Sequence, residues 1–577
     1  MKDSSLSPHS TYILGINSAY HESSACLIHN GEIILALEEE RLNRVKHAKP
    51  ARVDNADELP IGAIELCLEK AGITWQEVDR VGYSFDPVKR LKNKDYSEPV
   101  VPGDWGSAEG EQLFYEKLQQ VPQKLSQLAG EDITAKFEWL DHHLCHAGSA
   151  YFVSPFEDAA VLIVDGIGEF ESTTFYHGKG NRLNKLKTID YPNSLGFLWE
   201  KFAQFLGFSE YDACKVMGLA SYGNFKYYDR EFRQLLTIEP GSFQLDPKIL
   251  QFRVNDFSEL EKLFGPQREP DQRLEERHMD IAATLQKVTE EVLLELANDL
   301  YHRTGSPNLC LAGGVALNCV ANRILQEKTP FQNIYIQPAA NDAGTAIGAA
   351  YGIWHQMLGQ PRSYVMERPY LGPEYSDDRI QAVLDAHHLN YRRCDNIEAT
   401  AAKLVAEGNI VGWFQDRMEM GPRALGSRTL LADPRNPNMR DILNHKVKHR
   451  EHFRPFAPSV LADKAQAWFC IEDSQMPSDF MLFAYEVQES QRDLIPAVIH
   501  VDGTSRVQTV RSQSHPKYYR LIQEFDKLTG VPMVLNTSFN DSEPIVCSPE
   551  DAVKTFGKTK IDYLAIGNFL VSKGECK

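Results

Sequence analysis

The sequence predicts an α/β protein built from two large domains. The chain has 577 residues, too many for one hydrophobic core. A unit of strand, polar glycine-containing turn, strand, turn and strand occurs twice, over residues 12–37 and again from Ala160. Between residues 280 and 355 apolar strands alternate with amphipathic helices, which implies that at least part of a sheet is parallel.

The elements follow in order. Residues 12–17 and 24–29 read as strands, and Asn30-Gly31 before a third strand at 32–37 is a strong hairpin signal. The run Ala160-Val-Leu-Ile-Val-Asp165-Gly-Ile-Gly168 opens the second unit, with strands at 172–177 and beyond Gly180. A duplicated unit of this kind predicts two related lobes facing a cleft. A helix is expected over 280–302, with Ile281, Leu285, Val288, Val292, Leu296 and Leu300 on one face, Asp280 as its cap and Gly305 as its stop. Then come a strand at 308–312, the turn Gly313-Gly314, a helix from about Ala316, a strand at 334–337, the loop Asn341-Asp342-Ala-Gly344 and a helix at 345–355. Ligands of such sheets collect at the carboxyl ends of strands, where Asp165, Gly313-Gly314 and Asp342 are expected to lie. Residues 359–373 read as a linker, with a second domain from about Pro369. Residues 88–136 and 224–271 are polar and read as insertions.

Composition narrows the function. Hydrophobic residues make up 42% and charged residues 24%, as in an ordinary soluble globular protein. The net charge of −19 repels phosphate backbones, so no nucleic-acid partner is expected. The longest apolar runs are strand-length, which predicts no membrane span. The polar N-terminus carries no apolar signal region and is expected to be disordered before Tyr12. Ten cysteines without a Cys-x-x-Cys pair read as reduced thiols of a cytoplasmic protein.

His142 and His146 are one helical turn apart and could share a metal ion with nearby carboxylates such as Asp165; capping or core histidines are the bland alternative. His445 and His449 have the same spacing, but Lys446, Lys448 and Arg450 among them would repel a metal. Gly313-Gly314 before a helix bearing Asn318 lets a backbone approach a nucleotide, or is only a tight turn. Arg423, Arg428, Lys446, Lys448, Arg450 and Arg454 crowd about thirty residues of an acidic chain. Glycines, prolines and phenylalanines interleave them, so an anion pocket is the favoured reading over a solvated face. Asn536 and Ser538 follow an apolar strand, and Arg506 lies between Asp502-Gly-Thr and another strand. A metal and nucleotide cleft in one part and a phosphate pocket in the other suit ATP-dependent group transfer, without naming the group.

At this point the chain resembles the O-carbamoyltransferase family of antibiotic and nodulation-factor biosynthesis over essentially its full length. The resemblance is carried by His21-Glu-Ser-Ser-Ala, Glu38-Glu-Glu-Arg-Leu-Asn-Arg-Val-Lys-His47, His142-His-Leu-Cys-His-Ala, Leu162-Ile-Val-Asp-Gly166, Lys215-Val-Met-Gly-Leu-Ala220, Gly313-Gly-Val-Ala-Leu-Asn318, Gly421-Pro-Arg-Ala-Leu-Gly-Ser-Arg428, Phe453-Arg-Pro-Phe-Ala-Pro458, Asp502-Gly-Thr-Ser-Arg-Val-Gln-Thr509 and Leu535-Asn-Thr-Ser-Phe-Asn540, in that order. Glu22 departs from the family's usual Asp.

The resemblance implies an N-terminal actin-like ATPase domain of duplicated ribonuclease H-like lobes over 1–358, similar to the threonylcarbamoyl-transferring subunit of the tRNA-modification pathway. It implies a YrdC-like α/β domain over 369–577, similar to that pathway's adenylate synthase. The second would make carbamoyl-adenylate from carbamoyl phosphate and ATP with Mg²⁺, and the first would pass the carbamoyl group to a hydroxyl of a small-molecule acceptor. By the same resemblance His142, His146, Asp165 and Asp342 would hold a divalent metal, Fe²⁺ in particular. Gly313, Gly314 and Asn318 would contact adenosine. Lys46, Arg423, Lys448, Arg454, Arg506, Asn536 and Ser538 would line the carbamoyl-phosphate and ATP site, and His21 would be the general base on the acceptor, a task that suits an imidazole. An enclosed path between the domains is expected, with Lys46 in a tight interface, and a homodimer is compatible with this reading. A tRNA-directed transferase, a sugar or acetate-type kinase and a non-catalytic nucleotide sensor are the rival readings. Net charge argues against the first, the arginine-rich second domain against the second, and the retained site residues against the third.

Overall fold

Strand β1 (Tyr12–Asn17) hairpins through β2 (Ser24–His29) into β3 (Glu32–Glu38). The computed structural model describes residues 10–92, 98–472 and 478–573, so most of the polar N-terminal segment, expected to be disordered, lies outside the described residues. Asn30 and Gly31 both take positive φ, 50° and 87°, as a tight turn matching strand twist requires. β4 (Val78–Tyr83) then pairs parallel with β1, and β5 (Phe137–Trp139) pairs parallel with β4.

The second lobe repeats this plan. β6 (Asp158–Val164), β7 (Glu171–Lys179) and β8 (Arg182–Asp190) form the antiparallel meander. After a hairpin of β9 (Leu236–Glu239) and β10 (Ser242–Leu245), β11 (Asn308–Ala312) and β12 (Asn333–Ile336) add in parallel. The two sheet orders, β3-β2-β1-β4-β5 and β8-β7-β6-β11-β12, correspond strand for strand. The duplicated lobes expected of an actin-like ATPase fold are therefore present.

The helices that join the lobes explain several glycines. The helix His142–Tyr151 crosses the helix Thr345–Tyr351 where a Cβ on Gly348 would overlap the Cys145 carbonyl oxygen. A Cβ on Gly15 in β1 would likewise overlap the Ala346 carbonyl. The helix expected over 280–302 runs Glu276–Thr304. Its N-terminal box is built by Glu275 and His278, while Asp280 accepts the Asn224 amide at 2.7 Å. The insertion at 88–136 is largely helical, through Pro87–Lys92, Ala108–Gln119 and Val121–Ala129.

The C-terminal part holds β13 (Tyr391–Arg393), β14 (Val411–Phe414), β15 (Arg428–Ala432), β16 (Ala457–Leu461), β17 (Ala484–Glu486), β18 (Thr504–Arg506), β19 (Gln508–Val510), β20 (Met533–Ser538), β21 (Tyr563–Ile566) and β22 (Phe569–Ser572). Eight of them form one mixed sheet in the order β13-β22-β21-β14-β15-β20-β16-β19. Arg41 and Arg44 seat this sheet against the first lobe. Arg41 donates to the Gly421 carbonyl at 2.8 Å, and the Gly421 amide donates to Glu38 at 2.8 Å. Arg44 donates to the Ile545 and Pro544 carbonyls at 2.6 Å each. On the second lobe Lys215 pairs with Glu451 at 3.0 Å, and Asn322 donates to the Leu482 carbonyl at 3.0 Å. The interface is tight as expected, but Arg41 and Arg44 carry it; Lys46 of the same segment is exposed on a cavity wall.

Overpacking at a well-packed crossing costs about 1–3 kcal/mol. Gly348→Ala is expected to lower the unfolding free energy by about 3 kcal/mol, because backbone rather than a flexible side chain must give way. Denaturant unfolding monitored by circular dichroism checks it.

Candidate functional site

Asp141 caps the helix His142–Tyr151 by accepting the Leu144 amide at 2.9 Å, which starts the helix at His142 and places His146 one turn on. The second lobe brings two carboxylates to this helix. Asp165 directly follows β6, and Asp342 lies six residues beyond β12 in a tight loop. His142 Nε2 is 3.6 Å from Asp165 and 3.5 Å from Asp342; His146 Nε2 is 3.5 and 3.4 Å from the same oxygens. All four residues are buried, and their ligand atoms lie within 4.8 Å of one another. Metal–ligand bonds of about 2.1 Å at tetrahedral angles separate neighbouring donors by about 3.4 Å, so the spacing fits an ion better than direct hydrogen bonds.

Orphaned atoms support the fit. Neither Nε2 has a hydrogen-bond partner. His142 Nδ1 lies 3.0 Å from the Ser84 carbonyl, an acceptor, which fixes the ring as the tautomer whose Nε2 lone pair is free. Burial alone would push the His142 pKa down, yet Asp342 and Asp165 hold it well above its ordinary value. The four residues can therefore hold a divalent ion. A neighbouring group, Asp141, Glu169 and Glu171, is different in kind: Lys89 bridges all three and Lys185 adds contacts at 2.9 and 3.3 Å, so ammonium groups fill it.

Gly313 takes φ 91°, and a Cβ there would overlap the Val164 carbonyl. This close approach lets the Gly314 amide donate to Asp165 at 2.9 Å. The glycine pair thus orients a carboxylate of the tetrad, a duty the sequence reading did not foresee. Asn318 caps the helix Cys319–Lys328 and pairs with Gln286 at 2.9 Å, while still reaching the cavity wall. On the first lobe, His47 Nδ1 lies 2.6 Å from Glu22, and Tyr211 stacks on His47 with His21 against its edge. His21 Nδ1 is buried and unpartnered.

The cation cluster comes from the loop before β15 (Arg423), the end of the helical segment 439–448 (Lys448), the loop after it (Arg450 and Arg454) and the end of β18 (Arg506). Burial, then Arg423, pushes Arg506 down to about 9; burial, then Arg454, pushes Arg450 down to about 9. Lys448 is pushed well below its ordinary value by burial and by Arg450 and Arg454. Its Nζ donates to the Ser538 carbonyl at 2.5 Å and to Asn540 Oδ1 at 2.6 Å. Arg423 Nε and Arg506 Nε are buried without partners. Like charges repel most strongly where water is excluded, so an anion among these groups would relieve them. Asn536 spends its amide on the Ala424 carbonyl and Ser459 at 2.9 Å each, bracing the pocket floor.

Two cations the sequence grouped here are placed elsewhere. Arg428 is fully buried over the Phe414 ring at 3.7 Å and donates to the Gln415 carbonyl at 2.7 Å, and Lys446 pairs with Asp562 at 3.4 Å. Arg450 belongs to the cluster, and its signal was its place two residues after Lys448.

A single cavity of about 1020 Å³ joins the two ends. Its wall includes His21, Lys46, Asp165, Gly314, Asn318 and Asp342 at one end and Arg423, Lys448, Arg454, Arg506, Asn536 and Ser538 at the other. His142 and His146 are buried behind Asp165 and Asp342.

Comparisons with known proteins agree along the whole chain. Residues 12–351 match the family description Carbamoyltransferase N-terminus, and residues 402–573 match Carbamoyltransferase C-terminus. An uncharacterized protein of Synechocystis is 40% identical over 98% of this chain and 97% of its own length. Nodulation protein NolNO of Sinorhizobium fredii is 37% identical over 96% of this chain and 80% of its own length. Nodulation protein U of the same organism is 28% identical over 90% of this chain and 92% of its own.

Two outcomes follow from the geometry. Losing a ligand costs at least the 10–100-fold in metal affinity that second-shell changes cost, so His146→Ala is expected to weaken Mn²⁺ or Zn²⁺ binding about a hundredfold or more by calorimetry. Inorganic pyrophosphate is expected to raise the melting temperature of the wild type through preferential binding to the folded state, and Arg506→Ala is expected to abolish most of that rise.

Proposed function

The chain belongs to the carbamoyltransferase family, and on that premise we propose that it activates carbamoyl phosphate with ATP and transfers the carbamoyl group from carbamoyl-adenylate to a hydroxyl of a small-molecule natural product or sugar. The single observation behind this reading is that a cluster of cations, most of them without a carboxylate partner, and a carboxylate–imidazole tetrad meet at one cavity. The first suits phosphates, the second suits a metal, and carbamoyl-adenylate would use both.

The division of labour is proposed as residues 369–577 for activation and 1–358 for transfer. Arg423, Lys448, Arg454 and Arg506, with Lys46 from the other side, receive the phosphates of carbamoyl phosphate and Mg-ATP, while Asn536 and Ser538 shape the floor. Water cleaves the phosphoryl group from carbamoyl phosphate, leaving carbamate and phosphate. A carbamate oxygen attacks the α-phosphorus of ATP, and pyrophosphate leaves. Gly313, Gly314 and Asn318 hold the adenosine end. His21 takes the proton of the acceptor hydroxyl, whose oxygen attacks the carbamoyl carbon, and AMP leaves. An Fe²⁺ or similar ion held by His142, His146, Asp165 and Asp342 would supply Lewis-acid polarisation of the adenylate phosphate. A shared cavity matters because carbamoyl-adenylate hydrolyses, and it shortens the intermediate's path from one set of groups to the other.

The test is pyrophosphate release from ATP and carbamoyl phosphate without acceptor. Release that requires both substrates and falls by orders of magnitude in Lys448→Ala supports the reading; ADP release with an alcohol would replace it with a kinase. His21→Asn is expected to keep pyrophosphate release and to slow carbamoyl transfer to the acceptor about 10²–10⁴-fold, measured by mass spectrometry of the carbamoylated product.

A further inference from the structure

Asn17 at the end of β1 faces Ser24 at the start of β2, and the loop between them carries His21 onto the cavity wall. His21 Nδ1 is buried without a hydrogen-bond partner, so no bond through that atom orients the ring. Its placement depends on the backbone that carries it. That backbone is held in an uncommon shape: Glu22 takes φ 55°, and its amide donates to the His47 carbonyl at 2.8 Å. A non-glycine residue keeps a left-handed conformation only where its surroundings over-determine it. Asn17 supplies part of that determination, because its Nδ2 donates to the His21 and Glu22 carbonyls at 3.2 and 3.0 Å.

The same facing pair reaches the metal tetrad. With Nδ2 committed to two carbonyls, the orientation of the Asn17 amide is fixed, and its Oδ1 accepts the Ser84 hydroxyl at 3.0 Å. Ser84 directly follows β4, and its amide donates to the Ile16 carbonyl at 3.0 Å, beside Asn17. The Ser84 carbonyl is the acceptor that lies 3.0 Å from His142 Nδ1. Ser84 Oγ also lies 2.9 Å from Thr345 Oγ1, which in turn lies 2.6 Å from the Asp342 carbonyl oxygen. Ser24 makes a second tie: its hydroxyl donates to the carbonyl of Ala343, the neighbour of Asp342, at 2.8 Å. Asn17, Ser24, Ser84 and Thr345 are all fully buried, where the low dielectric strengthens such bonds. Closing the hairpin loop needs only the bonds to the His21 and Glu22 carbonyls. The bonds to Ser84 and Ala343 run instead from the ends of that loop to the supports of one histidine and one carboxylate of the tetrad.

We propose that Asn17 is a positioning residue which, with Ser84 and Ser24, ties the His21 loop to the metal ligands, so that a divalent ion in the tetrad steadies the loop that carries the base. The inference rests on the reading of the tetrad as a metal site and of His21 as the base on the acceptor. It adds that the two are coupled through buried hydrogen bonds: an ion that orders His142 and Asp342 also restricts local opening of the loop.

Hydrogen–deuterium exchange of the full chain, read by mass spectrometry with and without saturating Zn²⁺, tests it. Zn²⁺ is expected to slow deuterium uptake several-fold in the loop 18–24 of the wild type as well as in the helix 142–151. Ser84→Ala keeps the carbonyl that His142 uses and loses only the hydroxyl, and Ser24→Ala loses only the tie to Ala343. Each is expected to weaken the protection of the loop, and the double variant to abolish it while the helix 142–151 still responds. Asn17→Ala is expected to raise uptake of the loop and to remove its dependence on Zn²⁺. Loop protection by Zn²⁺ that persists in the double variant would overturn the proposal, and so would a wild-type loop indifferent to Zn²⁺ while the helix responds. A merely structural Asn17 would give the second result, since its loss would raise uptake equally with and without the ion. Melting curves within a few degrees of the wild type establish that the variants fold. Calorimetry of Zn²⁺ binding to the wild type reports separately on the metal reading, so the coupling can fail while that reading stands.

Discussion

The Gly314 amide donates to Asp165 at 2.9 Å, and the direction of that carboxylate decides where His142, His146 and Asp342 can converge. The bond exists because Gly313 can take φ 91° against the backbone of β6, where any side chain would collide with Val164. Glycines at the crossing of the two central helices then bring His142 and His146 of one lobe within reach of Asp165 and Asp342 of the other. The duplicated sheets are thus spaced by close backbone approach, and the buried tetrad is its product.

Buried charge imposes a second demand at the other end of the cavity. Lys448, Arg450 and Arg506 are pushed below their ordinary values by burial and by one another. Groups shifted in this way cluster at functional sites. Arg41 and Arg44 hold the C-terminal sheet against the first lobe by donating to backbone carbonyls, with Glu38 receiving the returning Gly421 amide. This places both sets of groups on the wall of one cavity.

Much of this was legible in the sequence, and the failures have physical causes. The Asn30-Gly31 turn, the strands beside it and the alternation after residue 280 could be read because they depend on local patterning. The histidine pair was visible as a spacing, but only its neighbours and the family resemblance separated it from His445 and His449. Long-range roles were not legible. Arg428 looked like a member of the anion pocket, yet it is a fully buried strut against Phe414 and the Gln415 carbonyl. Gly314 looked like a nucleotide contact, and its bond to Asp165 spans 149 residues of sequence. Lys46 looked like the interface residue, while Arg41, in the short helix Glu40–Asn43, and Arg44, which follows it with φ 61°, took that part by donating to backbone carbonyls of the C-terminal part. In each case residue type was informative and direction was not, since direction is set by packing between distant segments.

The central claim is that the metal tetrad and the cation cluster open onto the same cavity and serve one ligand. Its most direct test is ³¹P NMR relaxation of inorganic pyrophosphate bound to the full chain, with Mn²⁺ supplied at the tetrad. The account predicts strong paramagnetic relaxation of the bound phosphorus that disappears in His142→Ala and in Arg506→Ala. Relaxation unchanged by saturating Mn²⁺, with both ligands shown to be bound, would contradict it.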